Sequence, residues 1–361
     1  MPDVIVCAVT MTLLLLRTRV LVRIAVAKIG SFLQPGRLLC GLALTLATCL
    51  AASTASAQAR GPGLNDPVIR LPNLSSIETL GRDRQGAIVT NRVLASILGG
   101  FNEQINCNNC ISAFGEVGSF SAGVHGRKAI TDDLSIIGGI AYSRYRSGGV
   151  DVRDMPLAAG SLRYDFTELG ASRPYLEAGG ILAPSGRVNF TRPYPVGFSG
   201  FGTADIANAA AFARAGWVYR FSPQDEASAG AEISRNWQRV GSYAETTSLI
   251  NPIPLVSNGG TDQMNIGKIG GQWTHLWGAV VESQVNIGVA RSFGSRSGLN
   301  AIVTGTTITP VLGEHSWAEY GARIGYRIQP NVILDTFADG TLGPGPIRNT
   351  VHGGVAVRYT F

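Results

Sequence analysis

The chain has 361 residues, 46 of them Gly, and only 15% are charged. Glycine this frequent, without a strict period, excludes a collagen-like rod and suits packed strands and tight turns. The net charge is +6, but Arg17, Arg19, Arg23, Lys28 and Arg37 face only Asp3 in the first 59 residues. Most of the basic surplus is therefore local and does not point to nucleic acid.

Residues 1–59 read as an export signal. Arg37 precedes an apolar run from Leu38 to Leu50, and small residues follow, with Ala55-Ser56-Ala57 and Ala57-Gln58-Ala59 as cleavage sites. The run is shorter than the roughly 20 apolar residues a spanning helix needs. A second apolar run, Val4 to Leu16, precedes it, and a start codon further in is the economical explanation. Cys7, Cys40 and Cys49 fall in this segment, leaving Cys107 and Cys110 as an even pair, as an oxidising compartment favours. Residues 60–85, with Pro62, Pro67, Pro72, Gly61, Gly63 and Gly81, read as an extended linker.

Residues 86–111 read as an amphipathic helix followed by a cysteine pair. Val89, Val93, Ile97 and Phe101 fall four apart, with Leu94 and Leu98 beside them, the spacing of one helix face. Such a helix either packs on a surface or threads a barrel as a plug. Cys107-Asn108-Asn109-Cys110 fits a redox motif, half a zinc site or a local disulfide. With no second C-x-x-C, no nearby His and no βαβ pattern, a disulfide pinning the helix to the first strand is the favoured reading.

From residue 112 to 361 the chain alternates with period two. Strands are predicted over 112–118, 120–130, 134–146, 151–168, 173–183, 208–221, 225–238, 262–275, 278–293, 315–328, 331–339 and 349–361. Short turns at 131–133, 170–172, 223–224, 276–277 and 329–330 alternate with long connections near 184–207, 239–260, 294–314 and 340–348, with a brief one at 147–149. That asymmetry, with an even strand number, predicts an all-β transmembrane antiparallel barrel of about twelve strands, with short periplasmic turns and longer external loops.

On each strand one residue set is apolar and the other carries the charge. Leu162, Tyr164 and Phe166 alternate with Ser161, Arg163 and Asp165, and Trp217, Tyr219 and Phe221 with Arg214, Gly216 and Arg220. Alternation alone does not say which face is inside. The export signal, the terminal Phe361 and the clustering of Trp217, Tyr219, Phe221, Tyr326 and Tyr359 near short turns or the terminus point to a lipid-facing apolar set and a polar lumen. The predicted lumen charges are Arg163, Asp165, Arg214, Arg220, Glu232, Lys268, Glu282, Glu319, Arg323, Arg327 and Arg358. They would hold barrel and plug together as ion pairs, or solvate a pore.

The chain ends on Thr350–Phe361, where Val351, Gly353, Val355, Val357, Tyr359 and Phe361 form one face. The set Val355, Val357, Tyr359 and Phe361 resembles the C-terminal signature of bacterial outer-membrane barrels. A signal, a helix, the stretch Gly118-Ser119-Phe120-Ser121-Ala122-Gly123-Val124-His125-Gly126-Arg127 followed by Thr131-Asp132-Asp133-Leu134, and twelve amphipathic strands resemble the translocator domain of autotransporters, over about residues 86–361. The resemblance implies an integral outer-membrane protein of a Gram-negative bacterium, a monomer in outer-membrane lipid, inserted by the barrel assembly machinery. Only residues 60–85 lie between signal and barrel helix, so no sizeable passenger is expected.

No catalytic, cofactor-binding or metal-binding constellation stands out, so the chain does not read as an enzyme. His125, His275, His315 and His352 fall on separate strands or a loop edge. A porin-like channel is the alternative function, and an outer-membrane hydrolase the third.

Overall fold

The computed structural model describes residues 72–96, 107, 109–193, 199–246, 251, 254–303 and 305–361. The predicted signal, the first part of the predicted linker and residues 97–106 lie outside that set. The helix α1 spans Pro72–Ser96, so residues 72–85, predicted as linker, are mostly helical. The sequence boundary was set by Pro72 and Gly81. Proline is tolerated at a first helical position, where its missing N–H has no partner to lose.

The strands follow in chain order. They are β1 (Asn109–Val117), β2 (Phe120–Ala129), β3 (Leu134–Ser147), β4 (Val150–Asp165), β5 (Ser172–Ala183), β6 (Arg187–Pro193), β7 (Ser199–Arg220), β8 (Asp225–Val240), β9 (Tyr243–Ala244) and β10 (Val256–Ser257). They continue with β11 (Gly260–Trp277), β12 (Val281–Arg296), β13 (Ala301–Val303), β14 (Thr306–Ile308), β15 (Ser316–Gln329), β16 (Val332–Leu342) and β17 (Thr350–Thr360). Twelve of them close an antiparallel barrel. β17 pairs with β1 from Cys110↔Thr360 to Val117↔Gly353 and with β16 on its other side, so the chain's last strand seals the barrel as the terminal pattern implied.

Three predicted long loops hold further structure. β6 continues the sheet between β4 and β7 beyond the end of the shorter β5. β9, β10, β13 and β14 form a small separate sheet. These strands are two to seven residues long, too short for alternation to mark them against Pro193, Pro195, Pro252 and Pro254. The turn predicted at 276–277 falls one step later, since β11 runs through Trp277 and the next strand begins at Val281.

The alternating sets separate as an inside-out protein. Ile140, Leu162, Trp217, Ile233, Ile269, Val285, Ile324 and Val357 are exposed, whereas Arg163, Glu177, Glu232, Gln284 and Arg358 are buried. In water each large apolar side chain left outside would forfeit about 1.5–3 kcal/mol. In lipid the same arrangement is favourable, and the closed barrel leaves no sheet edge unpaired among hydrocarbon tails. Trp217, Tyr219, Phe221, Trp277, Tyr326, Tyr359 and Phe361 are exposed near the short turns, at the level of an interfacial aromatic girdle.

Candidate functional site: the plugged lumen

α1 lies inside the lumen, from the loop end to mid-barrel. A surface-packed helix would leave one face in solvent. Here every residue from Asp83 to Ala95 is buried, because a helix threaded through a barrel meets wall on all sides. Its apolar residues divide between two clusters. Ile77, Leu80, Ala87 and Leu94 pack with Tyr145, Val150, Val152 and Met155. Ile88, Val89 and Val93 pack with Met264, Ile266, Trp317 and Ile347.

Polar residues of α1 pair with the wall at successive heights. At the loop end, the Ser76 hydroxyl accepts from Arg192 at 2.9 Å, and Arg192 pairs with Glu245 at 2.6 Å. One step deeper, Asp83 accepts from the Gly149 N–H at 2.8 Å and pairs with Arg348 at 3.4 Å. Gly148 occupies the β3–β4 tip at φ +59°, and a Cβ there would also overlap the Asp83 carboxylate, so glycine is required on two counts. Arg84 pairs with Asp262 at 2.8 Å, and Gln85 donates to the Gly313 carbonyl at 2.7 Å. At mid-barrel, Arg92 pairs with Glu232 and, at 3.3 Å, with Glu319.

Arg92 completes a chain of alternating charge. Arg214 bridges Glu177 at 3.0 Å and Glu232 at 2.6 Å, Arg92 bridges Glu232 and Glu319, and Lys268 pairs with Glu319. Three cations face three carboxylates, so the network is neutral with the helix in place. Without Arg92 an excess carboxylate would remain in a buried site, which is strongly unfavourable.

Nearer the short turns the wall pairs with itself. Arg358 bridges Glu282 at 3.1 Å and Asp335 at 2.9 Å, and Arg323 also pairs with Glu282. Arg163 and Arg127 hold Asp165 at 2.8 and 3.1 Å, with Arg163 over the Tyr175 ring.

Nine of the eleven predicted lumen charges are therefore inside, in ion pairs. Arg220 and Arg327 are corrections. Arg220 is exposed at the turn rim, 3.5 Å from Glu226, and Arg327 donates to the Pro330 carbonyl. Parity assigns a residue to a face, but these two strands end at the rim, beyond the lumen. Sequence reasoning missed Glu177, Asp262 and Asp335 as partners, although the same period-two parity marks them. It also missed Arg84 and Arg192.

Cys107 and Cys110 form a disulfide, both buried, directly before and within β1. Val355, Val357, Tyr359 and Phe361 all point outward. The histidines are dispersed. His125 packs on Phe114, His275 lies 2.7 Å from Asp225 at the turn rim, and burial with the Arg82 charge holds the His315 imidazole below its usual range in the loop before β15. His352 contacts Ser119 at 3.1 Å and Glu116 at 3.2 Å, but both through Nδ1. A proton-relaying triad needs the two partners on opposite ring nitrogens. Among the described residues no group of His, Cys, Asp or Glu is placed to hold a metal ion.

The closed barrel, the exposed apolar belt and the helix held inside the lumen define an antiparallel transmembrane β-barrel plugged by its own N-terminal helix. No protein-family model and no curated protein sequence matches the chain. Among solved structures, the translocator domain of autotransporter NalP from Neisseria meningitidis is similar at 13% identity and a TM-score of 0.56, covering 78% of this chain and 99% of that domain. The β domain of the Bordetella autotransporter BrkA is similar at 16% identity and a TM-score of 0.46, covering 71% and 100%. The NanC porin follows at 6% identity and a TM-score of 0.42, covering 70% and 100%.

Proposed function

We propose that the protein is a translocator-type outer-membrane barrel whose lumen is held closed by its own N-terminal helix. The observation that carries this reading is the path of the chain. The first turns of α1 lie among the loop-end residues Arg192 and Glu245, its last described turns lie at mid-barrel beside Arg92, and Cys107 lies beside β1 at the turn end. The N-terminal end of α1 therefore opens at the loop end, and polypeptide upstream of it would leave the barrel there. If the loops face outward, as is general for such barrels, it is delivered to the cell exterior. An N-terminal signal would export the chain, and the assembly machinery would read β17 and Phe361.

Single cysteines test the path. Leu74→Cys should react with a membrane-impermeant maleimide on intact cells, and Gln224→Cys only after the outer membrane is permeabilised. Equal labelling of both positions on intact cells would remove the reading. In planar bilayers the intact protein should be closed, and deletion of residues 72–96 should open it. A large steady conductance of the intact protein would make it a porin instead.

A further inference from the structure

We propose that the outward face of β8, β11 and β12, at their loop ends, binds the phosphorylated glycolipid headgroup of the outer leaflet. This goes beyond the translocator reading and shares with it only the outward orientation of the loops.

The face is built from four arginines. Arg235 and Arg239 on β8, and Arg291 and Arg296 on β12, are exposed. Their strand neighbours Ser234, Asn236, Gln238 and Ser292 are buried toward the lumen, so the arginines stand on the lipid side. β11 lies between the two pairs. In register, Gln263 faces Trp237 and Arg296, and Asn265 faces Arg235 and Phe293. Guanidinium groups, side-chain amides and two half-buried aromatic rings thus share one patch. Arginine suits phosphate by its fork of donors, and amides suit sugar hydroxyls. β8 and β12 are two strand spacings apart, about 10 Å, the scale of a disaccharide.

Height fixes the occupant. Ile233, Ile269 and Ile287 lie just below and are exposed to lipid. Arg235 is eight residues along β8 from Ala227, which pairs with Tyr219 of the turn-end girdle. With strands tilted near 40°, that is about 20 Å, and Arg239 is about 30 Å up. The arginines straddle the upper edge of a hydrocarbon band about 25 Å tall, where headgroup phosphates lie.

Charge on the patch is largely uncommitted. Arg235 donates to the Gln263 amide oxygen at 2.9 Å. Arg291 pairs with Glu314 at 3.0 Å, but both side chains are more than half exposed, and such a pair is weak. Arg146 and Arg153, on β3 and β4, share Asp151 instead. The rim from β16 through β2 is apolar to its tips, with Leu342, Val351, Val117 and Phe120 exposed. The surface is therefore a patch and not a uniform basic ring.

The test uses the full mature barrel, refolded in a neutral detergent and titrated with lipid A, a bis-phosphorylated acylated diglucosamine. Bound lipid is read by native mass spectrometry. Changing Arg235, Arg239, Arg291 and Arg296 together to Gln should cut retention at least tenfold. The double change of Arg146 and Arg153 to Gln should leave retention intact. Fully dephosphorylated lipid A should bind the native protein at least tenfold more weakly. Equal retention by the quadruple variant, or equally tight phosphatidylglycerol, would overturn the proposal. If the quadruple variant does not fold by heat-modifiable migration, R235Q/R239Q and R291Q/R296Q are measured separately. Each should lose at least threefold, and no loss in either overturns it. Binding in detergent is blind to orientation and to pore closure, so its failure is distinct from failure of the labelling and conductance tests.

Discussion

Arg84 on the lumen helix and Asp262 on β11 form an ion pair at 2.8 Å with both side chains 1% exposed. Asp262 also accepts from the Gly298 N–H at 2.8 Å, so one carboxylate ties helix, wall and the long β12–β15 connection together. Removing one partner of such a pair strands a buried charge and typically costs about 3–5 kcal/mol. Arg84→Met should destabilise the refolded barrel on that scale in urea. Asp262→Asn strands the Arg84 guanidinium in turn and should cost a similar amount, although its amide oxygen still accepts from Gly298. The double variant should fall short of the summed single losses by more than about 1 kcal/mol. Strict additivity would mean that the pair does not couple plug to wall.

Arg92 makes a different prediction, because its partners are shared. Glu232 keeps Arg214, and Glu319 keeps Lys268, when Arg92 is lost. Arg92→Met should therefore leave a folded, heat-modifiable barrel while loosening the helix at mid-lumen. Brief openings in planar bilayers, absent from the native protein, are the expected signal. A variant as silent as the native protein would show that apolar packing alone holds the plug.

The period-two pattern makes the wall legible in the sequence. Arg163 and Asp165, two apart on β4, were assignable to one face, and they are inside and paired. The β17–β1 seam was legible for the same reason, since a closed barrel needs a partner for its last strand. Depth was not legible: Arg220 and Arg327 have the correct parity but sit at the rim, because parity carries no height. The start of α1 was hidden by Pro72 and Gly81, whose roles are set by position. Pro72 opens the helix, and a Cβ on Gly81 would press on the Pro310 ring. The helix was expected to show one apolar face, yet polar residues such as Gln85 and Arg92 are as buried as Val89. Their partners come from strands far along the chain, which local periodicity does not report.

Gly86 tests how closely the loops clamp the helix. A Cβ at this position would overlap the Pro346 carbonyl and crowd the Ser147 hydroxyl. The carbonyl belongs to the backbone and cannot swing away, whichever rotamer Ser147 takes. Gly86→Ala should cost about 1–3 kcal/mol by overpacking, despite the better helix propensity of Ala. Greater protease sensitivity of the 343–349 loop in the refolded protein should accompany the loss. A stabilised variant with an unchanged loop would place Pro346 further from the helix than the structure has it.

Phe361 carries the last prediction. Its N–H donates to the Asn109 carbonyl at 3.1 Å, and its ring stacks on Tyr359 with Lys128 over it at 5.1 Å. These contacts lie at the turn end of the β17–β1 seam, where an aromatic ring belongs at the membrane–water interface. Deleting Phe361 removes the backbone bond as well as the ring, whereas Phe361→Ala removes the ring alone. If the ring is what assembly requires, both variants should show a similarly reduced heat-modifiable fraction in isolated outer membranes. If the seam bond is what matters, the deletion should be reduced and the Ala variant should match the native protein. A full heat-modifiable yield from both would remove Phe361 from any role in insertion and leave closure to the eight register pairs from Cys110↔Thr360 to Val117↔Gly353.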